Sequence, residues 1–429
     1  MNARTLSLAT LLAASAALAQ AAVPATPLGS PVPGLSPTEL ALFLDGKNAY
    51  EHAYTPVEGL GPLFNAQSCA TCHGSPVTGG SESGTANNVT HFMLNPAGGN
   101  YELALEFGGP VRQRHSIAEL PEGLGCGMAG ETVPSFPGIT TSLRHTPPVF
   151  GFGLLDAVPD EELVEFQGAK PFKRPGVLGV ANYAIELESL SFLQAFSFDP
   201  TRTQPYGAAR VGRFGWKAQV GTLWQFTTEP FNIELGVSTP FFPRENTPNG
   251  GPVPAGCQLA ASPKPNDVGS GQSLRLFFFQ ALLAPPARLP KSASAERGEA
   301  LFHRAGCDDC HRPVLRTARD YYLPLPDGTV HRVDALSGKR IEPFSDLLLH
   351  DMGPGLRDGR IMGRGGPQTW RTTPLWGIRF KNRYLHDGSA LTEDDAIVRH
   401  GGEGQSSTDA YNALSAQEKQ SIVDFLETL

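Results

Sequence analysis

The same five-residue pattern occurs twice in this sequence, as Cys69-Ala-Thr-Cys72-His73 and as Cys307-Asp-Asp-Cys310-His311. Cysteines at i and i+3 lie on one face of a single helical turn, so both thiols can reach the vinyl groups of one porphyrin. A histidine directly after them can turn its imidazole under the ring and ligate the iron. C-x-x-C-H is the attachment signature of c-type haem. Two copies predict two covalently bound haems, attached through Cys69, Cys72, Cys307 and Cys310, with His73 and His311 on the irons. Two C-x-x-C pairs can also close a tetrahedral zinc site. Pairs in such modules stand tens of residues apart, whereas these are 238 positions apart, and zinc gives no reason for a histidine after both. A redox C-x-x-C belongs in a thioredoxin-like βαβ setting that is not evident here.

Export fits this chemistry. Arg4 supplies a positive start, Leu6 to Leu18 form a short apolar run, and Ala17-Leu18-Ala19 or Ala19-Gln20-Ala21 offers a cleavage site. Residues 1–21 therefore read as a cleaved signal peptide, which places the chain in the periplasm. Cys126 and Cys257 are the two cysteines left over. An even remainder in an oxidising compartment points to a disulfide, and two unconnected buried thiols are the other arrangement the sequence allows. No second apolar run reaches 18 residues, so no membrane span is expected. Among the 429 residues, 18% are charged and the net charge is −8. That balance excludes a nucleic-acid binder, which would present a basic face.

The elements that position the two motifs follow from composition and caps. Apolar residues make up 40% of the chain, enough for a core, while 48 Gly and 38 Pro promise extensive loops. Ser36-Pro37-Thr38-Glu39 reads as a helix start leading toward the first motif. Leu274 to Leu283 reads as a helix stopped by Pro285-Pro286. A second unit begins near Lys291, where a helix with small Gly298 and bulky Phe302 delivers the second motif. The final helix opens on a Ser415/Glu418 capping box and carries Ile422, Phe425 and Leu426 on one face. The expected fold is mainly α with extensive loops. It comprises two class I cytochrome c-like haem domains, residues 22–290 with long insertions and residues 291–429.

Longer segments carry a family likeness. They include Phe64 to His73, Arg144-His-Thr-Pro-Pro-Val-Phe-Gly-Phe-Gly153, Gly212-Arg-Phe-Gly-Trp216, Phe344-Ser-Asp-Leu-Leu-Leu-His350-Asp-Met352, Trp370-Arg-Thr-Thr-Pro-Leu-Trp376, Tyr384-Leu-His386-Asp-Gly388 and Ala396-Ile-Val-Arg-His400. Together they resemble the bacterial di-haem cytochrome c peroxidases and the related enzyme that matures methylamine dehydrogenase. They are closer still to the di-haem oxidoreductases sometimes labelled thiol oxidoreductases. The resemblance implies a division of labour, in which one six-coordinate haem moves electrons from a small redox donor protein and the other opens to peroxide. It implies a sixth ligand for the C-terminal haem after Tyr384 to Gly388. The peroxidases use Met there; this chain offers His400, with His386 and Met352 as competitors. For the N-terminal haem, His91 falls near the position of a displaceable distal histidine, and His115 and His145 are rivals. Trp370, Trp376 or Trp216 would stand between the haems, and the Thr372 and Pro374 carbonyls would match a calcium site. The functions left open are a peroxidase, an electron carrier with no substrate, and a haem oxidase that modifies a partner protein.

Overall fold

Local capping chemistry sets the helix starts. In the computed structural model of the chain, the Ser36 hydroxyl accepts from the Glu39 amide and the Glu39 carboxylate accepts from the Ser36 amide. Helix α1 (Pro37–Glu51) therefore opens on a reciprocal cap with proline in its first turn. Residues 26–94, 110–123, 125–135, 137–170, 173–185, 209–239, 242, 245–257, 270–324 and 329–429 are described. The stretch read as a signal peptide lies outside them. Among the described residues nine more helices follow: α2 (Cys69–Cys72), α3 (Phe152–Asp156), α4 (Asp160–Val164), α5 (Leu223–Leu235), α6 (Ser270–Leu282), α7 (Ala293–Arg304), α8 (Glu393–Val398), α9 (Gln405–Asn412) and α10 (Ala416–Leu426). None of them is long and apolar enough to cross a membrane.

Helices and loops are joined by strand ribbons that the sequence did not announce. Strands β1 (Leu63–Phe64) and β3 (His115–Ser116) pair, as do β2 (Val89–Leu94) and β4 (Ile139–Arg144), and β5 (Tyr183–Ile185) and β6 (Ala209–Val211). Farther on, β7 (Leu315–Arg316) pairs with β10 (Arg340–Ile341), β8 (Tyr322–Pro324) with β9 (Val330–Arg332), and β11 (Leu349–Asp351) with β12 (Thr369–Arg371). Every ribbon is antiparallel and two-stranded. Strands of two to six residues are too short to print a legible alternation in sequence.

Two helix crossings organise the packing. Helix α7 crosses α10 at Gly298, where a Cβ would run into the backbone carbonyl of Ser421. One turn later Phe302 meets Phe425 edge-on, with centroids 5.4 Å apart. Helix α1 crosses α6 in the same manner at Gly46, whose Cβ would strike the Arg275 carbonyl. One turn later Tyr50 packs on Phe279 at 4.7 Å. Glycine at each crossing lets the backbones approach closely.

The cores do not divide at residue 290. One cluster joins Phe43, Phe279 and Phe150 to Leu315, Leu336, Leu348 and Trp376. The other holds Phe302, Phe344, Tyr411 and Phe425. The stretch around β7 to β10 thus packs with the preceding half of the chain. Cys126 and Cys257 form a disulfide, both buried in the first cluster.

Candidate functional site

The C-terminal motif opens onto a cavity below the α7–α10 crossing. Cys307, Cys310 and His311 line it together with His350, Met352, His386 and His400. The His311 Nδ1 lies 3.0 Å from the Phe344 carbonyl, to which it can only donate, so Nε2 keeps the lone pair. His400 does the same with the Ala396 carbonyl at 2.7 Å. It sits just past α8, whose first turn is capped by Thr392, and Gly402 at φ +53° packs the following turn against Asp351. The two rings stand with centroids 6.5 Å apart. That separation leaves room for one metal atom with bonds of about 2.0 Å to both nitrogens. Burial, and then the charge of His400, push His311 down to about 4. Burial lowers His400 as well. Both imidazoles are neutral at neutral pH, the form that ligates metal.

Two other histidines of the cavity are otherwise engaged. His386 stacks on Trp370 with centroids 3.9 Å apart. His350 has both ring nitrogens on carboxylates, Nε2 to Asp346 at 3.0 Å and Nδ1 to Glu403 at 2.8 Å. Burial opposes its charge, but Asp346 and the Cys310 sulfur overcome burial and raise it well above its ordinary value. It is an imidazolium clamp. It ties Glu403, three residues beyond His400, to the segment holding Phe344, the partner of His311.

The N-terminal motif forms α2, with the Ser68 hydroxyl accepting from the Thr71 amide. Cys69, Cys72 and His73 line a second cavity with His91, His145, Arg144 and Arg360. Burial pushes His73 down to about 4. His91 meets Arg360 through Nδ1. A guanidinium only donates, so this nitrogen accepts and the ring proton sits on Nε2. His91 is thereby held as a hydrogen-bond donor, which does not suit the displaceable-ligand role expected from sequence. Buried His145 has Nδ1 2.9 Å from the Asn88 amide oxygen, and its Nε2 is buried with no hydrogen-bond partner. His115 is a correction. It lies outside both cavity linings, half exposed and paired with Glu119 at 2.7 Å, because β3 points it to solvent.

Helix α5 supplies two residues that sequence reasoning missed. Glu229 and Glu234 line the N-terminal cavity. Burial, eased by Arg360, raises Glu229 to about 7. Burial, eased by an Asn65 hydrogen bond of 3.0 Å, does the same for Glu234. The available signal was the frame Thr222 to Gly236: Thr222 caps the first turn and Gly236, at φ 70°, ends the last. Pro230 inside the helix hid it, since proline ordinarily breaks a helical reading.

Between the cavities runs a seam. Trp216 lines both and donates Nε1–H to the His145 carbonyl at 3.1 Å. Trp370 lines only the C-terminal cavity of the two, under the Lys217 ammonium at 3.9 Å, and Trp376 lines neither. Lys217 and Arg144 share buried Asp358, at 3.2 and 2.6 Å. The expected calcium site does not fit. The Thr372 carbonyl already accepts from Ser345 Oγ at 2.7 Å and from Arg371 at 3.2 Å. Among the described residues no cluster of three or more His, Cys, Asp or Glu side chains is arranged to hold a metal ion, and the two C-x-x-C pairs face separate cavities, which removes the shared zinc site.

The residues present fit a haem in each cavity. The thiols are free, a neutral imidazole adjoins each pair, and the C-terminal cavity offers a second facing imidazole.

Comparison with known proteins points the same way. The cytochrome-c peroxidase IdrP1 of Denitromonas iodatirespirans is 30% identical over 155 residues, covering 32% of this chain and 40% of that protein. Its counterpart in Pseudomonas sp. (strain SCT) is 31% identical over the same shares. The chain thus matches less than half the length of these curated relatives. Among solved structures, the diheme peroxidase BthA of Burkholderia thailandensis E264 aligns at 16% identity and a TM-score of 0.40, covering 92% of this chain and 86% of that one. That likeness is too loose to bear on the fold. Residues 138–429 match the family described as "Di-haem oxidoreductase, putative peroxidase", and with about two thirds of its length matched the chain belongs to that family.

Proposed function

We propose that this di-haem oxidoreductase is a periplasmic peroxidase, exported by its first 21 residues and built as two cytochrome c-like haem units, one around each motif, with the stretch around β7 to β10 packed onto the N-terminal one. Cys69, Cys72 and His73 would hold one haem, and Cys307, Cys310 and His311 the other. The observation that carries the reading is the asymmetry of the cavities. The His400 ring, with one nitrogen free, stands 6.5 Å from that of His311, whereas the N-terminal cavity presents acid, donor and guanidinium groups together with the unpartnered Nε2 of His145. A bis-histidine iron is saturated and suits electron transfer, and a five-coordinate iron takes substrate. Haem supplies the redox chemistry of peroxide cleavage, which consumes two electrons and two protons and yields two waters.

The chain's own groups manage protons and charge. Glu229, raised to about 7, would accept and return a proton within this cavity, because its two forms coexist near neutral pH. His91, holding its proton on Nε2, and Arg360 supply donors beside it. Trp216, touching both cavities, is the residue through which electrons from a small soluble donor protein would cross between them.

Electron paramagnetic resonance of the loaded protein tests this reading. Cyanide should perturb one iron signal and leave the other low-spin. His400→Ala should convert the unperturbed one to high spin. If neither iron accepts an external ligand, the chain is an electron carrier. If His400→Ala changes neither signal, Met352 becomes the next ligand to test.

A further inference from the structure

Several buried cations among the described residues sit on a carboxylate. Arg144 and Lys217 share Asp358, and Arg213 meets Asp160. Two cations on the wall of the C-terminal cavity do not. Arg371, nearly buried, spends its guanidinium on neutral carbonyls, donating Nε–H to Gly215 at 2.8 Å and Nη1–H to Thr372 at 3.2 Å. Lys381 lines the same cavity, with its ammonium 5.9 Å from the Tyr384 ring centroid. Among the described residues no ion pair joins either one to an acid. Burial alone pushes Arg371 down to about 10. Burial and then the charge of Arg371 push Lys381 down to about 8. Two like charges brought together without a counter-ion are costly unless an anion completes the site.

We propose that Arg371 and Lys381 form the anion clamp for the carboxylates of the C-terminal haem, holding its carboxylate edge against the seam beside Trp216. The inference rests on the haem-binding reading above and adds the residues that orient and charge-balance the group. Three features support it. The clamp shares its cavity with Cys307, Cys310, His311 and His400. The carbonyls of Gly215 and Thr372 fix the guanidinium, so it is preorganised for a planar carboxylate. The Arg371 amide donates to the Trp216 carbonyl at 3.0 Å, which places the clamp on the seam. One of the two charges is felt across it: His145 in the N-terminal cavity is lowered to about 4 by burial and then by Lys381, with Arg383 adding to it. Fixed cations thereby stand where a calcium ion was expected.

The test uses the loaded full-length protein, with haem content from pyridine haemochrome and both midpoint potentials from spectroelectrochemical titration. A nearby positive charge favours the reduced, less positive iron. Lys381→Met should therefore lower the potential of the C-terminal haem more than that of its partner, and Lys381→Arg should restore it. Exposed Lys339→Met, outside the cavity lining, should move neither. Loss of the C-terminal haem alone from Lys381→Met supports the clamp equally. Two haems present with unchanged potentials in Lys381→Met overturn it, as does an equal shift from Lys339→Met. A wild-type chain that binds no haem overturns the parent reading instead, and the clamp falls with it. Arg371 holds two backbone carbonyls, so its variants would confuse folding with charge; Lys381 carries the test.

Discussion

The two cavities begin alike and end differently. In each, a glycine lets two helices cross, Gly46 between α1 and α6 and Gly298 between α7 and α10. In each, an aromatic residue sits one turn later, Tyr50 or Phe302. A C-x-x-C-H turn follows. The opposite wall is where they part. The C-terminal cavity is closed by the short helix α8 and the imidazole of His400. The N-terminal cavity is closed by the thirteen-residue helix α5, carrying Glu229 and Glu234, with His91 and Arg360 beside it. A common proximal scaffold can therefore serve two chemistries, decided by what is laid across its other face.

The largest effects should come from removing one scaffold's anchor at a time. Replacing Cys69 and Cys72 by Ser is expected to halve the covalent haem and abolish peroxide turnover, with the low-spin signal kept. Replacing Cys307 and Cys310 is expected to halve the haem too, but to abolish reduction by a protein donor while peroxide still perturbs the remaining iron. Haemochrome assay and stopped-flow reduction measure both. Identical phenotypes from the two double variants would erase the proposed division of labour.

Next in size is Glu229→Gln. A positioned general acid–base group contributes about 10²–10⁴-fold, so turnover should fall by that order with haem content and donor reduction intact. Glu234, hydrogen-bonded to Asn65, should matter less. Equal loss from both variants would assign the effect to cavity charge rather than to proton transfer.

The C-terminal half was the more legible in sequence. Gly298 and Phe302 lie within nine residues of Cys307, and the Ser415/Glu418 cap marks the helix that packs against them, so these signals are local. The N-terminal half was less so, for physical reasons. Gly46 and Tyr50 repeat the Gly-x-x-x-aromatic spacing of Gly298 and Phe302, but 23 positions separate Gly46 from Cys69 against nine from Gly298 to Cys307. Helix α5 was concealed by Pro230, which interrupts the pattern between its Thr222 cap and Gly236 stop. His115 misled because residue type alone says nothing of which way a two-residue strand faces. The cation clamp was illegible, since absence of a counter-ion is a fact of packing.

A smaller and paired effect should come from the crossing glycines. Adding one methyl at either site forces the helices apart, since the obstructing atom is a backbone carbonyl in both. Overpacking of this kind costs about 1–3 kcal/mol. Gly298→Ala should loosen the C-terminal cavity and Gly46→Ala the N-terminal one, read as separate losses of amide-exchange protection in α10 and α6. Protection lost throughout the chain in both variants would mean that the crossings are not independent.

The finest distinction is the opposite pH response of one histidine from each cavity wall. His145 is buried and lowered to about 4. Below its ordinary pKa of about 6.5 the unfolded chain takes a proton that the folded chain refuses, so its presence costs stability as pH falls from about 6.5 to 4. The slope is at most about 1.4 kcal/mol per pH unit. His350 is raised well above its ordinary value by Asp346 and the Cys310 sulfur, against the opposing pull of burial. Its contribution is fully present below about 6.5 and is lost as pH rises through the folded value. His350→Gln should therefore be most damaging in acid and lose its effect toward alkali. His145→Asn should cost most at neutral pH and least near pH 4, where the wild type is itself weakened. Urea midpoints of the haem-free variants across pH 4 to 9 give both curves, and the haem-free form keeps iron ligation out of the comparison. If the two differences from wild type slope the same way with pH, the cavities share one electrostatic character, and the contrast between them reduces to His400 against Glu229.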